Sequence, residues 1–179
     1  MSRRRFWLAA AVVGAAATAA GYGFNVWRSG GLNSGEGNPA AARALLTARL
    51  KDVKGETRTL ETWSGRVLVV NFWATWCAPC REEIPEFVRM QERYRARGLQ
   101  FVGIAIDQPE KVAEFAREFG INYPLLMGGL DTMALMREAG NRAGVLPFTL
   151  VFDRHGNVAT SHPGALKEAK LEAVIGPLL

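Results

Sequence analysis

The chain is poor in cysteine and histidine, and it carries no acidic residue before Glu36. Two cysteines in 179 residues exclude the many-bridged framework of a small secreted scaffold. Two histidines, His155 and His162, are too few and wrongly spaced for a zinc finger, so no metal site is expected. The net charge of +5 invites an anionic partner, yet Arg3, Arg4, Arg5 and Arg28 supply four of the 22 basic residues. The rest of the chain balances 18 basic against 17 acidic residues. That leaves no basic stripe on a folded domain, and no nucleic-acid partner is expected. Nor is there an internal repeat. The length suits one compact domain with an appendage.

The appendage is N-terminal. Arginines 3 to 5 precede Phe6 to Trp27, in which only Thr18 and Asn25 are clearly polar. Basic residues ahead of about 20 apolar ones carry the positive-inside signature of a membrane span. Residues 1–28 therefore read as an uncleaved signal-anchor or as a cleaved signal peptide, for which Ala17-Thr18-Ala19 offers a site. Ser2-Arg3-Arg4-Arg5-Phe6 also resembles a twin-arginine export signal, with Trp7 where leucine is usual. A core helix is a third reading, though nothing amphipathic pairs with it. Either of the first two delivers the domain outside the cytoplasm: anchored on the periplasmic face of the inner membrane, or free in the periplasm. Residues 29–40, rich in Gly, Ser and Asn, read as a flexible linker, with the folded domain over 41–179.

Within that domain, Val67 to Trp73 is an apolar, β-branched run expected to form a buried strand. Cys77-Ala78-Pro79-Cys80 follows and opens a helix. A helix N-terminus suits a thiolate, because free N–H groups and the helix dipole stabilise negative charge there. A bridge closing only four residues is a weak staple, worth roughly 2 kcal/mol against about 4.7 for a 100-residue loop. Redox chemistry is the better reason for the pair, with Cys77 attacking and Cys80 resolving. A structural disulfide, buried thiols and a zinc pair are the plainer alternatives.

Around this centre, short strands are expected over Leu45 to Leu50 and Glu56 to Leu60, then a strand at Leu99 to Ile106 after a stop at Gly98. A helix follows Asp107-Gln108-Pro109, and a short strand spans Tyr123 to Met127. Asp131 to Ala139 reads as a helix capped by Asp131. A strand at Phe148 to Phe152 turns through Asp153 to Asn157 into Val158 to Ser161, and Lys167 to Leu178 closes the chain as an amphipathic helix. The alternation implies an α/β fold: a mixed sheet with helices on both faces.

At 100° per residue, Cys77, Cys80 and Glu83 form one stripe with Ile84 and Phe87 close by, while Glu82 falls opposite. Glu83 is thus expected in apolar surroundings, where burial raises its pKa and lets it move protons to and from Cys80. The alternative is an acid that only complements the helix dipole. Asn71 cannot titrate, so it cannot act as the base; otherwise it is a hydrogen-bonding filler of the strand.

The stretch Asn71-Phe72-Trp73-Ala74-Thr75-Trp76-Cys77-Ala78-Pro79-Cys80-Arg81-Glu82-Glu83-Ile84-Pro85 resembles the thioredoxin fold. More narrowly it resembles the membrane-anchored TlpA/ResA-like thiol–disulfide oxidoreductases. Tyr123-Pro124, Gly144-Val145-Leu146-Pro147 and Asp153-Arg154-His155-Gly156 extend the likeness across the domain. The resemblance implies a three-layer thioredoxin-like fold and a redox-active Cys77–Cys80 disulfide that needs no cofactor. It implies a cis proline at Pro147, with Leu146 and Pro147 offering backbone to a partner's extended segment and Trp76 meeting that partner. It supports a role for Glu83 in tuning cysteine acidity. Cytosolic thioredoxins carry aspartate where Asn71 stands. Partners would be disulfide-containing proteins, apocytochrome c among them, reduced by a monomer that draws electrons from a membrane redox protein. Competing readings are a disulfide-forming oxidant and a copper-delivery module, though the C-x-x-x-C spacing and distant histidine of the latter are not clearly present. A peroxidase is a further one, but Thr75 stands one position too close to Cys77.

Overall fold

Alternate side chains of the central strand point to opposite faces of the sheet, and each face has its own core. The computed structural model describes residues 37–179. Seven strands make one sheet: β1 (Leu50–Asp52), β2 (Thr57–Arg58), β3 (Val67–Trp73), β4 (Leu99–Ala105), β5 (Leu125–Met127), β6 (Phe148–Phe152) and β7 (Val158–Pro163). Their order is β2-β1-β5-β4-β3-β6-β7. β3 runs parallel to β4 and antiparallel to β6, so it lies in the interior of the sheet with all seven residues buried. That burial is why its sequence is a near-continuous apolar run.

Among the described residues, five α-helices cover the faces: α1 (Pro39–Thr47), α2 (Ala78–Tyr94), α3 (Pro109–Glu118), α4 (Leu130–Glu138) and α5 (Glu168–Ile175). Val67, Val69 and Trp73 join Cys80, Ile84, Phe87 and Met90 of α2, together with Val112 and Phe115 of α3 and Leu171 and Ile175 of α5. Leu68, Val70 and Phe72 pack instead with Ala41, Ala42 and Leu45 of α1 and Met136 of α4. The expected strands from β3 onward are all present, within two residues of their expected ends. Gly98, at a φ of +94°, turns the chain out of α2 into β4.

Four expectations are corrected. The strand expected at Leu45–Leu50 is the end of α1 followed by β1, because Asn38 accepts the Ala40 N–H at 2.9 Å and starts a helix. Pro39 occupies the first turn, and Ala41, Ala42 and Leu45 then share one buried face. The strand expected at Glu56–Leu60 shrinks to Thr57–Arg58 and runs into a 3₁₀ turn at Leu60–Trp63. The expected linker also ends early: Asn38 donates its backbone N–H to Glu138 O at 2.8 Å and so belongs to the domain. Finally, α4 is capped at Gly129, with Asp131 inside its first turn. The apolar segment 6–27 and the signal-cleavage site lie outside the described residues. Among the described residues, no helix is long and apolar enough to cross a membrane.

Candidate active site

Cys77 is the N-cap residue of α2, and its Sγ accepts the Cys80 N–H at 3.3 Å. An Ncap side chain that receives an early helical N–H can be stabilised as an anion by that bond and by the helix dipole. The two cysteines are joined as a disulfide, with Cα atoms 5.3 Å apart. Cys77 is 5 % exposed and Cys80 fully buried, so an approaching sulfur reaches Cys77 first. Beside them Trp76 stands 69 % exposed, a large apolar side chain facing solvent at the mouth of the site. Pro85 lies within α2, which continues past it to Tyr94.

The turn that carries Trp76 is held from the loop just after β4. Asp107 accepts hydrogen bonds from the Thr75 amide at 3.2 Å and from the Thr75 hydroxyl. Burial works against its charge, but the Thr75 hydroxyl, the Gln108 and Thr75 amides and Lys111 prevail and hold the carboxyl below its ordinary range. The helix expected after Asp107-Gln108-Pro109 is α3, whose N-cap is Gln108, without a side-chain bond. Arg81, in the first turn of α2, lays its guanidinium 5.2 Å from the ring centres of both Phe115 and Phe119.

Glu83 is buried one turn beyond Cys80, on the same face of α2, while Glu82 is exposed. Its Oε1 accepts from Asn71 Nδ2 at 2.8 Å and its Oε2 from the Leu166 N–H at 2.9 Å. Burial pushes its pKa up to about 7; the Leu166 amide, the Asn71 amide and Lys167 pull it down, and Glu86 adds to the rise. Tyr123 is buried as well, and desolvation followed by the Glu83 charge drives its hydroxyl's pKa upward. Asn71 lies opposite Thr149 in the β3–β6 ladder and donates to its hydroxyl at 3.2 Å. Asn71 is therefore hydrogen-bonded to the candidate base itself. Sequence reasoning missed Thr149, Leu166 and Asp107, whose contacts are set by pairing and loop paths across 32 to 83 residues of chain.

Leu146-Pro147 is a cis peptide, as the resemblance implied. Leu146 packs against the core that contains both cysteines, and Pro147 O accepts the Gly164 N–H at 2.8 Å. Val145, two residues before the proline, is 43 % exposed.

A mixed sheet with a C-x-x-C disulfide at the start of its covering helix defines a thioredoxin-like thiol–disulfide oxidoreductase. The chain belongs to the AhpC/TSA family, which it matches over residues 41–161, and within it to the ResA-like proteins. It is 27 % identical to the thiol-disulfide oxidoreductase ResA of Halalkalibacterium halodurans over 174 residues, covering 95 % of this chain and 93 % of the relative. To ResA of Geobacillus kaustophilus it is 30 % identical over 124 residues, 69 % of each chain. Among solved structures it is similar to a thiol:disulfide interchange protein of the thioredoxin family from Chlorobium tepidum, with a TM-score of 0.63 and 30 % identity. That match covers 73 % of this chain and 94 % of the other. It is also similar to a DsbF homologue from Corynebacterium diphtheriae, with a TM-score of 0.66, 26 % identity and coverage of 73 % and 83 %.

Proposed function

We propose that the protein reduces disulfides of partner proteins outside the cytoplasm. In its dithiol form, the Cys77 thiolate attacks a partner disulfide, forming a mixed disulfide and releasing one partner thiolate. Cys80 then loses its proton and attacks the Cys77 sulfur, which releases the second partner thiolate and leaves the Cys77–Cys80 disulfide. Two electrons pass to the partner, and a dithiol protein in the membrane restores them. Glu83, one turn below Cys80, takes and returns the Cys80 proton. Its carboxylate is bonded to Asn71 and Leu166 rather than to a sulfur, so the transfer runs through an intervening water. Trp76, Leu146 and Pro147 form the face on which an extended partner segment docks.

The observation that carries this reading is the buried Glu83 sharing one face of α2 with a disulfide seated at the helix start. Residues 6–27 anchor the domain at the membrane, apocytochrome c is one substrate class, and the names of the relatives support thiol–disulfide exchange as the chemistry. The test is insulin reduction. Cys77→Ser abolishes it, and Cys80→Ser accumulates a mixed disulfide visible on a non-reducing gel. Equal turnover by wild type and Cys77→Ser would overturn the proposal. Titration of the dithiol against glutathione settles direction: a potential well above that of glutathione means the protein makes disulfides instead.

A further inference from the structure

Asn71 uses both amide hydrogens and leaves its oxygen idle. Nδ2 donates to Glu83 Oε1 at 2.8 Å and to Thr149 Oγ1 at 3.2 Å, whereas the buried Oδ1 has no hydrogen-bond partner among the described residues. That arrangement suits an ionised Glu83. Once Oε1 carries the proton, a donor faces a donor at 2.8 Å and the contact turns repulsive. The Leu166 N–H on the other carboxylate oxygen is a fixed backbone donor and cannot adapt. A side-chain amide can, because its nitrogen and oxygen are nearly the same size and a half-turn about χ2 exchanges them. After the half-turn, Oδ1 accepts from the Glu83 O–H, and the Thr149 hydroxyl rotates from acceptor to donor. One amide atom is unpaired in either arrangement, so the exchange is nearly even in hydrogen bonds.

We propose that Asn71 is a positioning residue whose side-chain amide reverses whenever Glu83 gains or loses its proton, with the Thr149 hydroxyl turning in step. The carboxyl then keeps one place in both states. This deepens the proton-transfer role given to Glu83 and rests on it for its use, though not for its geometry. Aspartate at this position could not donate and would oppose the Glu83 charge; leucine could do neither job. The other groups facing Glu83 are Glu86 on its own helix, Lys167 beside Leu166, and buried Tyr123 ahead of β5. These shift the midpoint of its titration without choosing the orientation of the amide. The disulfide does not titrate.

The experiment is an NMR titration of the detergent-solubilised full chain, disulfide intact, following Glu side-chain carboxyl carbons and Asn side-chain amides. In the wild type, the Glu83 carboxyl titrates near 7, and the Asn71 Nδ2 protons show a contact to Thr149 at high pH that disappears with the same midpoint. Glu83→Gln, whose own amide mimics the protonated acid, shows the low-pH pattern at every pH. In Asn71→Leu the Glu83 midpoint moves by less than about one unit, because partners of both protonation states are lost together. Were Asn71 a fixed donor, its loss would raise the midpoint on the order of one to two units, the worth of a charge-assisted hydrogen bond. A contact to Thr149 that persists through the Glu83 titration overturns the proposal, as does a Glu83 carboxyl that does not titrate. Insulin turnover of Glu83→Gln separates the two ideas: an unchanged rate removes the proton-transfer role, while the amide reversal stands or falls on the NMR alone.

Discussion

Ionising Glu83 inside the folded protein opposes burial, so folding stability depends on pH through this residue. Its folded pKa of about 7 lies above the ordinary 4.5. The folded state therefore binds the proton more tightly than the unfolded chain. The stability contributed by the protonated form is fully present below about 4.5, is lost as pH rises towards 7, and stays lost above it. Glu83→Gln should flatten that fall and leave the variant more stable than wild type at pH 8.5 by up to about 3 kcal/mol, measured by urea unfolding at two pH values. The same substitution should slow insulin reduction near pH 7 by about a hundredfold, the usual worth of a positioned acid–base group, and remove an inflection from the pH–rate profile. Cys77, Cys80 and Glu83 were legible in the sequence because helical spacing alone puts them on one stripe. The bond from Asn71 to Glu83 was not, because neither spacing nor composition says which strand residue lies under which turn of the helix. Thr149 is harder still: it joins Asn71 only through the β3–β6 register.

The turn between β3 and α2 carries Trp76, and its conformation depends on Asp107 at the end of a different strand. Asp107→Ala leaves the Thr75 amide and hydroxyl without their acceptor; it should cost about 1–3 kcal/mol of stability by denaturant unfolding and reduce the rate of exchange with protein disulfides. In the sheet itself, Gly103 of β4 sits beside Asn71. A Cβ there would lie 2.6 Å from Leu125 Cδ2 and 2.8 Å from Trp73 Nε1. Gly103→Ala should therefore destabilise by about 1–3 kcal/mol through overpacking, read as a lower midpoint in urea, with Trp73 displaced. Elements with one dominant signal were readable from composition: β3, β4 and β6 as apolar runs, α2 and α5 as amphipathic helices. α1 was not, because Leu45, Leu46 and Leu50 look like a strand unless Asn38 and Pro39 are recognised as a helix start. β1 and β2 are three and two residues long, too short for any period to show.

For the molecule as a whole, the domain is a thiol–disulfide oxidoreductase, and the anchor proposed for it is the apolar segment 6–27. If residues 6–27 anchor the protein, the full chain should sediment with membranes and resist alkaline carbonate extraction, and a chain beginning at Ser34 should be soluble with unchanged insulin turnover. A shortened, freely soluble product of the full-length gene would instead mark signal cleavage. The motif Asn71 to Pro85, with Tyr123-Pro124 and Leu146-Pro147 further on, made the general chemistry readable from sequence, while the physiological direction of electron flow depends on an equilibrium between two sulfur states that no residue pattern encodes. The alternation along β3 has a last consequence. Asn71 and Trp73 look towards the layer that holds the sulfurs, and Val70 and Phe72 towards α1 and α4, so the sheet acts as a partition wall between a working room and its foundations. An engineer could rebuild the lower storey around Leu45 and Met136 to raise heat resistance, and the redox midpoint upstairs would hold, since changes on opposite sides of such a wall add independently.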